Sequence, residues 1–216
     1  MTPVATAIEP TWESFRRTAR DLLIRGVAPE AVAWSETASS GTQLSLMPEA
    51  PVDAADLAAT ATDAARDRCE SKGVRLDVHL APVGRVNVDP DRIGQVLGNL
   101  IDNALRHTPA GGSVTLSCRR VEHWVEYAVA DTGEGIAAES IPRVTERFFR
   151  IDQGRSREGG GIGLGLAIVK HVLSRHDGTL KIESQPGKGS RFVCRFPPER
   201  LVKAAPVPLS PDRHSA

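Results

Sequence analysis

The pattern of apolar residues is clearest between residues 90 and 107, where it has the period of an α-helix. Asp89 and Pro90 provide a capping side chain and a proline at the first helical position. Apolar residues then recur at spacings of three and four, at Ile93, Val96, Leu97, Leu100, Ile101, Ala104 and Leu105. This spacing predicts an amphipathic helix with one buried face. The turn-forming residues 108 to 112 end it.

Strict alternation of apolar and polar residues at 74 to 80 predicts a half-buried strand, and further strands are predicted elsewhere. The predicted strands cover residues 74 to 80, 85 to 88, 113 to 119, 122 to 130, 180 to 184 and 191 to 196. Further helices are predicted over residues 53 to 72, 139 to 148 and 163 to 176. Helices and strands are intermixed, and the late strands are joined by hairpins. We therefore expect an α/β (α+β) two-layer sandwich, with a mixed or antiparallel sheet covered on one face by helices.

Three zones follow from the composition along the chain. Residues 1 to 51 contain a short predicted helix at 11 to 27 and a serine-rich linker at 35 to 45. Residues 52 to 197 form the main domain, and residues 198 to 216 are predicted to be a disordered tail.

Charge and composition exclude several classes of protein. In the 216 residues, 27 Lys and Arg balance 27 Asp and Glu, so no electrostatic attraction to nucleic acid or acidic membranes is expected. No apolar run is long enough to span a membrane, and the N-terminus lacks the pattern of a signal peptide. The three cysteines lack metal-ligand spacing, which is typical of reduced thiols in a cytoplasmic protein.

Glycines cluster in two places, at residues 131 to 136 and 159 to 167, and the second cluster leads into a predicted helix. A glycine loop before a helix directs free N–H groups and the positive end of the helix dipole at an anion. The pattern thus indicates a phosphate-bearing ligand, although a flexible connection has the same composition. Between the clusters, residues 150 to 161 are polar, arginine-bearing and rich in glycine, which predicts mobility.

Polar residues on the predicted helix 90 to 107 suggest a metal site. Asn99 and Asn103 are four residues apart and share a face with Arg106. Amide oxygens suit Mg²⁺ that is completed by substrate phosphates, and Arg106 could face those phosphates. A solvated helix face is the alternative. Asp131, at a strand end, could accept a hydrogen bond from an exocyclic amine such as that of adenine, or be an ordinary turn residue.

Other nucleotide-binding signatures are absent from the sequence. There is no P-loop motif, the glycines lack the spacing of dinucleotide-binding folds, and the motifs of serine and tyrosine kinases are missing. Instead, four ordered segments and a closing motif are similar to the boxes of one family. They are an N box at 91 to 109, a first glycine box at 131 to 136, an F box at 146 to 150, a second glycine box at 161 to 167, and a closing motif at 187 to 192.

Through these boxes, residues 52 to 197 resemble the ATP-binding catalytic domain of sensor histidine kinases, in the gyrase, Hsp90, histidine kinase and MutL superfamily. The resemblance implies ATP and Mg²⁺ as cofactors, with Asn103 and Asn99 holding the metal. It implies that Asp131, supported by Ser190, binds the adenine amine. The catalytic positions that it implies are Asn103, Arg106 and Arg150, the last at the start of an ATP lid. The other implied nucleotide-binding positions are His107, Gly133, Gly135, Ile136, Phe149, Gly161, Gly163, Leu164, Gly165 and Leu166.

The resemblance also implies a reaction. ATP-hydrolysing relatives carry a glutamate base where this chain has Asn99, whose amide cannot accept a proton. A protein-histidine kinase of a two-component system is therefore expected. No histidine has the context of the family's phosphoacceptor, so we expect phosphoryl transfer to a histidine on another chain, a dimerisation domain, with a response regulator as a further partner. The alternatives are an ATP-binding regulatory or interaction module, or a truncated kinase remnant without transferase activity.

Residues 12 to 34 weakly resemble the opening segment of uracil-DNA-glycosylase-like proteins. The similarity includes no catalytic motif, so it implies no activity.

Overall fold

The computed structural model describes residues 49–151 and 163–202. Within these ranges the helices are α1 (Ala54–Asp63), α2 (Arg66–Lys72), α3 (Pro90–His107) and α4 (Gly165–Arg175), with a 3-10 helix at Pro198–Arg200. The strands are β1 (Ala50–Asp53), β2 (Arg75–Leu80), β3 (Arg85–Val88), β4 (Ser113–Val121), β5 (Trp124–Asp131), β6 (Thr179–Gln185) and β7 (Gly189–Phe196). The predicted helix at 11 to 27 and linker at 35 to 45 lie outside the described residues.

Five strands form one mixed sheet in the order β2-β4-β5-β7-β6. Strands β2 and β4 are parallel, and the other neighbours are antiparallel. The helices pack against one face, which confirms the predicted two-layer sandwich. Strands β1 and β3 pair separately as a small antiparallel sheet, and β1 was not predicted. No helix in the described ranges is long and apolar enough to cross a membrane.

Helix α3 is the centre of the helical layer, and it confirms the first prediction from the sequence. The seven apolar residues that defined its period are all buried. Asp89 caps the helix by accepting a hydrogen bond from the Arg92 N–H. Helix α3 packs on α1, α4, β4 and β5, so its position determines where its polar residues stand relative to the rest of the domain.

The predicted single helix at 53 to 72 is wrong, because the chain divides into α1 and α2. At the break, the Ala65 N–H bonds the Thr62 carbonyl three residues back instead of the carbonyl four residues back. The Thr62 hydroxyl also donates to the carbonyl oxygens of Ala58 and Ala59, at 2.9 and 2.7 Å. These bonds tighten the last turn. No glycine or proline in this alanine-rich segment indicates the break.

The predicted helix at 139 to 148 is also wrong, since this segment is a series of turns. The Ser140 and Arg143 N–H groups bond carbonyls three residues back, on Ala137 and Ser140. Pro142 lies between them and has no N–H to continue a helix.

Residues 198–202 are part of the described structure, with a 3-10 helix at Pro198–Arg200, whereas the sequence predicted disorder from residue 198. Arg200 forms ion pairs with Glu49 and with Asp177, the latter at 2.9 Å, and Leu201 bridges to Val86. Glu49 lies 151 residues from Arg200 along the chain, beyond the reach of any local sequence pattern.

The sheet face opposite the helices carries a buried carboxylate, Glu126, which is 1% exposed. It accepts hydrogen bonds from Arg119 on β4 and Arg195 on β7, at 2.9–3.1 and 2.7 Å. Burial alone raises the pKa of this carboxyl group, but the bonds and charges of the two arginines outweigh burial and hold the pKa below its usual value. Glu126 therefore ties the three central strands together in its ionised form.

We expect Glu126→Gln to lower the free energy of unfolding by about 2 kcal/mol at about pH 7, because the hydrogen bonds of the two arginines lose their charged partner. Since the folded pKa is lowered, the contribution of Glu126 is full above the unfolded value of about 4.5 and is lost as the pH falls through the folded value. Urea denaturation from about pH 7 to about pH 3 should show the difference between wild type and variant shrinking. Glu122→Gln, on the exposed hairpin turn, is the control and should change little. A difference independent of pH would contradict the assignment.

Candidate functional site

Helix α3 carries two asparagines, Asn99 and Asn103, one turn apart and half-buried. The side-chain nitrogen of Asn99, Nδ2, is buried and has no hydrogen-bond partner in the part of the chain that the structure describes. A Cβ atom at Gly165, the first residue of α4, would lie 3.8 Å from Asn99 Oδ1. The polar side of α3 and the N-terminus of α4 therefore lie close together at Asn99.

The first N–H groups of α4 have no hydrogen-bond partner within the helix itself. Its N-cap residue, Leu164, is buried, and no side chain within the described ranges forms a capping hydrogen bond with the helix. Just before it, Gly163 has a φ of +76°, and a Cβ there would come within 2.8 Å of the Phe148 carbonyl carbon. Phe148 in turn donates its N–H to the Gly163 carbonyl, at 2.9 Å. Only glycine can occupy position 163, because any side chain there would overlap the Phe148 backbone. N–H groups at a helix start that have no capping side chain attract an anion.

Asp131 ends β5, in the centre of the sheet, and is 8% exposed. Its Oδ1 atom accepts hydrogen bonds from the N–H groups of Gly133, at 2.9 Å, and Ser190, at 3.3 Å. No described residue donates to its Oδ2 atom. Burial raises the pKa of this carboxyl group, and the two backbone hydrogen bonds and the charge of His107 offset the rise only in part. The two backbone hydrogen bonds to Oδ1 thus fix the carboxylate of Asp131, and its Oδ2 atom receives no hydrogen bond from the described residues.

The loop 131–136 passes between the end of α3 and the turn joining β6 to β7. A Cβ at Gly133 would lie 2.3 Å from the His107 carbonyl oxygen. A Cβ at Gly135, whose φ is +72°, would lie 1.9 Å from the Gln185 carbonyl oxygen. Both glycines are required by close backbone approach, so the loop cannot shift freely on either side.

Ser184, which sequence analysis missed, links this loop to β7. Its hydroxyl oxygen accepts from the Ile136 N–H at 2.7 Å, and its O–H donates to the Gly189 carbonyl at 2.9 Å. Because that O–H is used, the 3.0 Å contact with Ser190 Oγ is a bond that Ser190 donates. A single serine within a strand carries no signal in the sequence. Ser184 therefore fixes the rotamer of Ser190 beside Asp131.

The remaining predicted positions lie around these elements. Phe149 packs against the core, with the Arg143 guanidinium 4.4 Å from its ring centre. Leu166 is partly buried against the same core. Arg106 and Arg150 are exposed, at the end of α3 and beyond Phe149. Most of the predicted lid at 150 to 161, including Gly161, lies outside the described residues.

The donor set fits a metal held jointly with phosphates better than a metal held by protein alone. No group of three or more His, Cys, Asp or Glu residues suited to a metal occurs within residues 49–151 and 163–202. The amide oxygens of Asn99 and Asn103 are weak neutral ligands, which Mg²⁺ accepts when phosphate oxygens and water complete its shell. The side-chain nitrogen of Asn99, for which no described residue offers an acceptor, is chemically suited to a phosphate oxygen. Both observations suit a Mg²⁺-nucleotide.

Residues 88–200 match the family model described as histidine kinase-, DNA gyrase B-, and HSP90-like ATPase. The chain belongs to this family. Its described domain is the ATP-binding catalytic domain of the histidine kinase type, as the following relatives show.

The phosphate regulon sensor protein PhoR of Pseudomonas aeruginosa is 38% identical over 71% of this chain and 35% of its own length. The sensor-like histidine kinase SenX3 of Mycobacterium tuberculosis is 50% identical over 52% of this chain and 28% of its own. The chain thus spans about a third of these relatives. The solved structure of the mycobacterial sensor histidine kinase MprB superposes with a TM-score of 0.60 at 30% identity, over 69% of this chain and 97% of that one. These comparisons give no support to the predicted glycosylase-like resemblance of residues 12 to 34.

Proposed function

We propose that this chain binds ATP with Mg²⁺ and transfers the γ-phosphoryl group to a histidine of a separate phosphoacceptor domain, as the kinase of a two-component system. The observation that carries the proposal is the meeting of Asn99 and the uncapped start of α4. There, an unpaired buried donor and free helix N–H groups converge on one place suited to phosphate. Family membership supports the choice of ATP.

Each end of the nucleotide has its own protein groups in this proposal. The adenine amine donates to Asp131, whose Oδ2 atom no described residue uses, and Ser190 supports it. The phosphates lie between Asn99, Arg106 and the start of α4. When bound, Mg²⁺ neutralises phosphate charge, and Asn103 and Asn99 hold it.

Catalysis in this proposal rests on position and charge, as in phosphoryl transfer generally. Arg106 and Arg150 compensate charge on the transferred group. Asn99 cannot act as a base, so water is not activated for hydrolysis at this position. The acceptor histidine and a response regulator are the expected macromolecular partners.

The first test is ATP binding by calorimetry, with and without Mg²⁺. We expect Mg²⁺-dependent binding that Asn103→Ala weakens by about tenfold or more, because one ligand of the ion is lost. Asn87→Ala is the matched control, since Asn87 lies on β3 and bonds Glu49 far from the site. Absence of ATP binding by the folded wild-type protein would refute the proposal.

The second test is transfer itself. The protein, γ-labelled radioactive ATP and an isolated dimerisation domain of the SenX3 type should give an acid-labile, alkali-stable phosphoprotein. ATP binding without transfer to any acceptor domain would favour the alternative of a regulatory module.

A further inference from the structure

Glu134 is held by its backbone from two sides. Its N–H donates to the His107 carbonyl oxygen, at 3.3 Å, and its carbonyl oxygen accepts from the Gly187 N–H, at 2.7 Å. The neighbours Gly133 and Gly135 have no room for a side chain, so the loop cannot relax around it. The Cα atom of Glu134 therefore starts its side chain from a fixed point at the rim of the site.

From that point the carboxylate reaches the His107 ring, with 2.6 Å between Oε1 and Nδ1. A carboxylate only accepts hydrogen bonds, so the proton of this bond belongs to His107 Nδ1. In the neutral ring Nε2 is then an acceptor, and no described residue bonds it. Glu134 thus fixes both the orientation of the ring and its tautomer.

Charged residues surround the pair formed by Glu134 and His107. Asp131 interacts electrostatically with both partners: His107 favours its ionised form and Glu134 opposes it. Arg106 precedes His107 on α3, and Lys72 of α2 bonds the carbonyl oxygens of Leu105 and Arg106. These bonds hold the C-terminal turn of α3, and with it His107, in place.

We propose that Glu134 is a positioning residue for nucleotide recognition, which keeps the His107 imidazole oriented beside Asp131 to contact the base. The inference rests on the proposed function of this site. It goes further by giving a role to Glu134, which lies between the two glycines of the loop. The effect of Glu134 is on the base end of the ligand and passes entirely through His107.

The test compares Glu134→Ala with Glu134→Gln, by calorimetry with Mg²⁺-ATP and with Mg²⁺-triphosphate. Loss of one charge-assisted hydrogen bond between half-exposed groups should weaken ATP binding about fivefold in Glu134→Ala. Glutamine still offers an oxygen to Nδ1–H, so Glu134→Gln should restore most of the affinity. Triphosphate, which has no base, should bind all variants equally. Glu139→Ala, an exposed glutamate of the same segment, is the control.

The decisive comparison is the double-variant cycle with His107→Ala. In that background Glu134→Ala should have no further effect on ATP affinity. An undiminished effect there, or an equal loss for triphosphate and ATP, would overturn the positioning role while leaving the proposed function intact. Wild-type protein that binds neither ligand would instead refute the proposed function itself.

Discussion

Replacing Asp131 by asparagine is expected to weaken ATP binding about 30-fold, the loss of a charge-assisted hydrogen bond in a buried site. The amide oxygen of the new side chain can still accept from Gly133 and Ser190, so the loop should keep its conformation. The amide nitrogen then occupies the place of Oδ2 and presents a donor to the donor amine of adenine. The preference for ATP over GTP should therefore fall as well, because guanine offers an acceptor at that position.

The same variant should unfold at an equal or slightly higher urea concentration. Burial raises the pKa of Asp131, so the ionised carboxylate is less stable in the folded protein than in the unfolded chain. The free energy of unfolding therefore increases as the pH falls through the raised pKa, because the folded protein binds the proton more tightly. ATP binding is expected to have the opposite dependence, since in the proposed function the adenine amine donates to the ionised carboxylate. Affinity of the wild type should drop towards acid pH, and that of Asp131→Asn should lack this drop.

Calorimetry over a pH series and urea denaturation measure both effects. Asp56→Asn, an exposed residue of the first turn of α1, is the control. If Asp131→Asn lost stability and retained ATP affinity, Asp131 would be a structural residue and not a base-binding one.

Gly189→Ala is expected to cause the largest loss of stability, about 4 kcal/mol, from backbone strain and steric overlap together. Gly189 has a φ of +84°, and a Cβ there would lie 1.9 Å from the carbonyl oxygen of Asp131. That oxygen belongs to the central strand β5, which pairs on both sides and cannot move away. Strain and overlap each contribute about 1–3 kcal/mol.

Gly187 gives a matched control in the same turn. Its φ is +75°, nearly that of Gly189, but a Cβ there would meet nothing within 4 Å. Gly187→Ala should therefore cost only about 1 kcal/mol, from the left-handed backbone. Urea denaturation of both variants separates backbone conformation from close contact. An equal decrease in the free energy of unfolding of the two variants would show that the steric overlap with the Asp131 carbonyl oxygen does not affect stability.

Prediction from the sequence was most successful where the signal was local and periodic. The apolar face of α3, the β4–β5 hairpin and the late strands all follow from spacings within one element. It failed where no local pattern marked the event, as at the break between α1 and α2. The helix predicted at 139 to 148 is also absent, since Pro142 has no N–H group to continue a helix.

Some features of the candidate site could also be predicted from local sequence, and others could not. The sequence by itself determined which residue types are present, in which order, and on which elements: two asparagines on a helix, an aspartate at a strand end and glycines at two loops. It thereby determined the fold class and the family. Helical and strand periods are properties of a few consecutive residues, and the boxes have characteristic spacings, so no tertiary information was needed.

Only the tertiary structure decided how these groups meet. Asp131 accepts from Ser190, 59 residues away, and Glu134 bonds His107, 27 residues away. The unpaired Nδ2 of Asn99 and the contacts that exclude a Cβ at Gly133 and Gly189 also depend on elements distant in sequence. Such contacts arise from packing the helical layer on the sheet, which no local pattern encodes, and they determine which of the chemically suitable residues act together.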